Sequence, residues 1–189
     1  MDHGETGEHG SGAVAASPVI VMGVCGVGKS LLARRLADAF GVAMVEADDF
    51  HSDENRRKMS QDLPLTDADR LPWLDAVSAA AKWQVQSTGG AIVACSCLRR
   101  VYRDRIRGEL GSSVFLHLAG PRALIAERLE ARTSHFVGAG LLDSQLDILE
   151  PLQDDESGIA LEINVPIDDV VVAAIDELRR IGAPAQSVV

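Results

Sequence analysis

Residues 19–30 read VIVMGVCGVGKS. The apolar run from Val19 to Met22 has the composition of a buried strand. It leads into Gly23-x4-Gly28-Lys29-Ser30, the full phosphate-binding loop pattern, with a helical segment behind it. Gly23, Gly26 and Gly28 let the backbone fold tightly enough to turn its N–H groups toward phosphate oxygens. Lys29 supplies a charge for β- and γ-phosphates, and Ser30 a hydroxyl for Mg2+. The helix that starts here, with Leu31 in its first turn, adds a positive N-terminal end. A chance Gly-rich turn would lack both the flanking strand and the amphipathic helix.

Outward from this loop, bulk properties narrow the class. The 189 residues suit one domain, 47% hydrophobic and 24% charged, which is globular composition. A net charge of -10 argues against non-specific nucleic-acid binding and against an anionic membrane surface. An anionic substrate therefore needs a local basic pocket. No apolar stretch is long enough to span a bilayer. The N-terminus is polar, without a basic n-region or an apolar h-region, so a cytoplasmic protein is expected. Cys25, Cys95 and Cys97 form no disulfide framework or zinc spacing and read as reduced, mostly buried thiols.

Residues 1–17 and 183–189 read as flexible tails around a domain at 18–182. Inside it, strand-like and helix-like segments alternate. Strands are expected at 19–22, 42–45, 91–95, 114–118 and 160–165. Helices are expected at 29–40, 72–86 (with Pro72 in the first turn), 99–110, 121–132 and 166–181. Residues 133–150 are a mixed segment. Five short apolar strands alternating with helices imply an α/β fold: a five-stranded parallel sheet with helices on both faces. Ligands of such sheets bind at the carboxyl ends of the strands.

Several groups cluster at that edge. After the second strand, EADDFH (46–51) places a carboxylate near the phosphate end of the sheet. It either accepts a proton from an attacking hydroxyl, holds Mg2+ through water, or belongs to a solvated acidic loop. His51 either bonds a substrate oxygen or caps the next helix. Lys58 and Arg70 lie in charged stretches that, by composition alone, read as solvated faces, and Trp73 reads as core. After the third strand come Arg99 and Arg103, four apart on one helical face: an anion clamp, or an ordinary basic face paired with its neighbours. Arg128 and Arg132 again share a face and lead into Ser134-His135-Phe136 and two glycines, a lid pattern or a surface hairpin.

Four segments together carry a resemblance: MGVCGVGKS, ADDFHSDENRRKMSQDLPLTDADRLPWL, CSCLRRVYRD and RLEARTSHFVGAGLLDSQLDILEPL, which cover most of residues 19–152. The chain resembles the gluconate kinases of the small, thermoresistant type, within the shikimate- and nucleoside-monophosphate-kinase-like phosphotransferases. The resemblance implies a P-loop kinase fold with a mobile lid at about 133–150. It also implies transfer of the γ-phosphoryl of ATP to the 6-hydroxyl of D-gluconate with Mg2+, and a homodimer. It assigns Asp48 as base or orienter of the substrate hydroxyl, with His51, Lys58 and Arg70 on the substrate side. Arg99 and Arg103 hold the substrate carboxylate, Arg128 lies against adenine, Arg132 reaches the phosphates from the lid side, and the lid residue His135 contacts the substrate. Glu46-Ala47 stands where the family has Asp-Gly, which leaves Asp48 and Asp49 as alternatives for the catalytic carboxylate. A shikimate-like or nucleotide kinase on the same scaffold, or a nucleotide-binding regulator without turnover, remains as a rival that an acceptor panel separates.

Overall fold

A computed structural model of the chain describes residues 17–61, 63–131 and 139–182. Its strands are β1 (Val19–Met22), β2 (Ala43–Glu46), β3 (Ala91–Ala94), β4 (Val114–Ala119) and β5 (Gly158–Glu162). The helices are α1 (Lys29–Phe40), α2 (Asp53–Ser60), α3 (Asp67–Thr88), α4 (Arg100–Leu110), α5 (Arg122–Glu130), α6 (Ala139–Ile148) and α7 (Ile167–Arg180). All strand pairs are parallel, in the order β2-β3-β1-β4-β5. The expected α/β architecture is therefore present.

Strand alternation builds two cores. Val19 and Val21 of β1, Ile92 of β3 and Leu116 of β4 face one side, where they pack with residues of α1, α5 and α7. Ile20, Met22, Val93 and Phe115 face the other, with Trp73, Leu74 and Val77 of α3 and Tyr102 and Ile106 of α4. Every β1 side chain is fully buried, as a central strand covered on both faces requires. Burial of this apolar surface is the main force that holds the helices on the sheet.

The structure moves several boundaries. Helix α3 begins at Asp67 rather than at Pro72, because Thr66 and Asp69 form a capping box. Pro72 then sits inside the helix, where its ring gives up one backbone donor. Helix α2, anticipated only as a helix after His51 and without bounds, is capped by Ser52, which accepts from the Asn55 N–H. Helix α6 occupies the second half of the segment read as mixed. Strand β5 starts two residues earlier than expected, at Gly158, whose backbone lies so close to β4 that a Cβ would sit 2.3 Å from Phe115 O. Residues 1–16 and 183–189 of the tails, and Arg132, Ser134, His135 and Phe136, lie outside the described residues.

Candidate active site

The phosphate loop leaves the central strand and closes into α1. Gly23, Gly26 and Gly28 all have positive φ, at 138°, 83° and 101°. A Cβ at Gly26 would also meet Leu129 Cγ at 2.7 Å, so the turn needs glycine for space as well as for torsion. No side chain among the described residues caps α1. Its first N–H groups and its dipole therefore point at the loop. Lys29 donates to Val24 O at 3.0 Å. Burial of its ammonium pulls the lysine pKa down, while the charge of Asp48 pushes it back up.

Beside the loop, Leu31 and Arg128 line a cavity of about 300 Å³ with Gly26, Gly28 and Val165. Arg128 is anchored by donating to Ile163 O at 2.8 Å. Among the described residues its wall is apolar apart from the Arg128 guanidinium, which suits a flat aromatic ligand part continuing from the phosphate loop.

Next to the loop stands a short 3-10 turn, Ala47–Phe50, following β2. Glu46 lies against Ser30; burial raises its carboxyl pKa, and a hydrogen bond with Ser30 works against that rise. Asp48 is exposed, with Oδ1 3.9 Å from His51 Nε2. His51 is buried and stacked on Trp73, ring centroids 4.4 Å apart. Burial lowers its pKa, Asp48 opposes, and the charges of Arg56 and Arg70 add to the fall. His51 does not cap α2, since Ser52 does. Among the described residues, His51 Nδ1 has no hydrogen-bond partner. Trp73 is core, as its composition implied, and also a platform: its indole N–H donates to Ala47 O at 2.7 Å.

The basic residues fall into two sets. Arg99 grips Asp67 through two contacts of 2.9 and 3.0 Å, and Tyr102 Oη donates to the same carboxylate at 2.6 Å. The Arg99 and Arg70 guanidiniums both lie over the Tyr102 ring, at 5.5 and 5.7 Å. Lys58 donates to Asp69 at 2.7 Å, across from this cluster's helix start.

Arg103 corrects the expected clamp. Its side chain is fully buried rather than beside Arg99. All five of its N–H donors are engaged. Nε and one Nη2 hydrogen go to Glu156; the others go to the carbonyls of Leu98, Glu150 and Pro151. No donor is left for a substrate carboxylate, so the four-residue spacing marks a buried ion pair instead.

Arg56 went unnoticed in the sequence. It donates to the carbonyls of His51 (3.1 Å), Asp48 (3.3 Å) and Asp49 (2.8 Å), and so staples the turn that carries both candidate carboxylates. Recognising Ser52 as a helix cap would have placed Arg56 on the first turns of α2, beneath that turn.

Residues 25–147 match the shikimate kinase family. A gluconokinase of Gluconobacter oxydans is 43% identical over 73% of this chain and 78% of its own length. The chain belongs to the gluconokinase family. Solved structures agree in fold. A gluconokinase from Sinorhizobium meliloti superposes with a TM-score of 0.80 at 38% identity, over 88% of this chain and 94% of that one. A sugar kinase from Janibacter superposes with a TM-score of 0.83 at 41% identity, over 91% and 99%. An adenylylsulfate (APS) kinase of Mycobacterium tuberculosis, at 19% identity and a TM-score of 0.62, shares the fold. Among the described residues, no helix is long and apolar enough to cross a membrane.

Proposed function

We propose that this kinase transfers the γ-phosphoryl group of ATP to the 6-hydroxyl of D-gluconate, giving 6-phospho-D-gluconate and ADP. The observation that carries the reaction class is the phosphate loop itself: three glycines at positive φ leading into the uncapped start of α1, with Lys29 held on Val24 O. The acceptor is that of the gluconokinases the chain resembles. Asp48 accepts the proton of the attacking hydroxyl or orients it. Lys29 and the start of α1 draw charge onto the transferred group, so most of the rate comes from positioning and electrostatics. Arg99, with Arg70 beside it, reads the sugar-acid carboxylate, exchanging Asp67 for the substrate. Lys58 and His51 flank the sugar, and Arg128 lies against the adenine. Arg132 and His135, outside the described residues, belong to a lid in this reading.

The donor set fits Mg2+: the Ser30 hydroxyl is exposed and Glu46 lies beside it, both hard oxygen donors. Among the described residues no group of three or more His, Cys, Asp or Glu forms a cage. This suits a cation that arrives with nucleotide phosphates. When bound, Mg2+ would be held by Ser30 and supply positive charge at the β- and γ-oxygens. A kinase domain at 18–182 with tails at either end, a homodimer and a cytoplasmic location complete the reading.

The test is a coupled ADP-release assay with Mg2+ and ATP, comparing D-gluconate with shikimate, other hexonates, glucose, nucleoside monophosphates and no acceptor. Gluconate-dependent release is expected. Release with another acceptor would overturn the substrate, and ATP binding without release would overturn the activity. Lys29→Ala should abolish turnover with unfolding unchanged. Asp48→Asn should lose far more activity than Asp49→Asn.

A further inference from the structure

Helix α6 reaches into the phosphate loop through one side chain. The backbone N–H of Cys25 donates to Gln145 Oε1 over 2.6 Å, a partly buried contact between residues 120 positions apart. The helix is held in place there. Leu142 is fully buried in the core that also contains Val24 and Val27 of the loop. Arg122 of α5 grips Asp143 through contacts of 2.6 and 2.8 Å.

The Cys25 N–H belongs to the same peptide unit as the Val24 carbonyl, which accepts from Lys29 Nζ at 3.0 Å. A peptide unit is a rigid plane, so turning one end turns the other. Gln145 thus grips one end of a plane whose opposite end holds the loop's ammonium. The type of acceptor matters too. A carboxylate at position 145 would accept this hydrogen bond equally well, but it would set negative charge against arriving phosphates. An apolar side chain would remove this hold on the peptide. A neutral amide oxygen fixes the plane and leaves the loop's field unchanged.

We infer that Gln145 is a positioning residue for phosphoryl transfer, fixing the Val24–Cys25 peptide and through it Lys29. The inference rests on the ATP-dependent kinase reading. It makes the two isosteric replacements fail differently. Gln145→Met keeps the shape and loses the acceptor, so kcat should fall about tenfold with little change in the KM for ATP. Gln145→Glu keeps the acceptor and adds charge, so kcat should hold while ATP binding weakens about tenfold, an effect that added salt reduces.

The experiment measures kcat and the KM for ATP with D-gluconate, and the Kd for MgATP by calorimetry at two salt concentrations, with thermal melts of each variant. The crossed pattern supports the role. Parent-like constants in both variants overturn it. So do losses that follow the melting temperature equally in Met and Glu, which would mark a purely structural contact. If the parent does not phosphorylate gluconate, the substrate reading fails alone. The calorimetric arm still decides, because equal MgATP affinity in the Met and Glu variants would overturn the role of Gln145.

Discussion

The imidazole of His51 lies on the indole of Trp73, with ring centroids 4.4 Å apart and 12° between the planes. The same indole donates to Ala47 O, at the start of the turn that presents Asp48. One tryptophan thus fixes both ends of the turn, by a hydrogen bond at its first residue and by ring contact just after its last.

Replacing that tryptophan tests the linkage. Trp73→Phe keeps an aromatic face and leaves a carbonyl without its donor, at a cost of about 1–3 kcal/mol in stability. Urea unfolding should show that loss, and the KM for gluconate should rise while the KM for ATP stays near the parent's. Equal changes in both KM values would mean that the turn is not the part affected.

His51 gives the fold a pH dependence. Burial, helped by Arg56 and Arg70 and opposed by Asp48, holds its folded pKa below the ordinary value of about 6.5. The folded state therefore prefers the neutral ring, and protons favour the unfolded chain. Its contribution is full above about pH 6.5 and is lost as pH falls through the folded value. Melting temperatures should drop more steeply between pH 7.5 and 5.5 for the parent than for His51→Gln. Parallel curves would contradict this.

Asp69 acts in a more acid window. Hydrogen bonds from Lys58 and from Thr66 hold its pKa down to about 2. The group's unfolded value is near 3.8. Its stabilisation is therefore complete above about pH 4 and declines as pH falls toward 2. The stability gap between parent and Asp69→Asn, read by urea unfolding, should be smaller at pH 3 than at pH 6. A constant gap would show that the capping geometry matters and the charge does not.

The buried pair at the back of the site predicts a lesion of another kind. Arg103 and Glu156 have fully buried side chains joined at 2.7 and 2.8 Å. Arg103→Met leaves a buried carboxylate short of its main partner and should cost about 3–5 kcal/mol. Adding Glu156→Leu should recover part of that loss. The KM for gluconate of folded protein should stay near the parent's. A large KM rise without loss of stability would return Arg103 to the substrate site.

The sheet and the loop were legible because their signals are local. Val19–Met22 is apolar throughout, and Gly23, Gly26 and Gly28 mark the turn at fixed spacing. The start of α3 was misread because Pro72 is a strong local cue, while the Thr66–Asp69 box that outweighs it lies upstream. Residues 99 and 103 share a helical spacing, yet whether such a side chain meets water or Glu156 depends on a segment some fifty positions away. Spacing carries no such information. Arg56 was hidden for the same reason: its partners are backbone carbonyls, which leave no mark in the residue pattern. Gln145 stood within a segment that carries the family resemblance, but its contact with Cys25 exists only once α6 is folded against the loop.

Strand β1 lies in the middle of the sheet, bonded to β3 on one side and β4 on the other, with every side chain out of water. Helix α2, by contrast, buries only Asn55. Amide protons of Val19–Met22 should then exchange with solvent only when the whole molecule opens, whereas those of α2 escape through brief local excursions. In the proposed binding roles, the nucleotide phosphates are served by a loop rooted in the slow-exchanging strand, and the sugar acid by a helix whose amides open locally far more often.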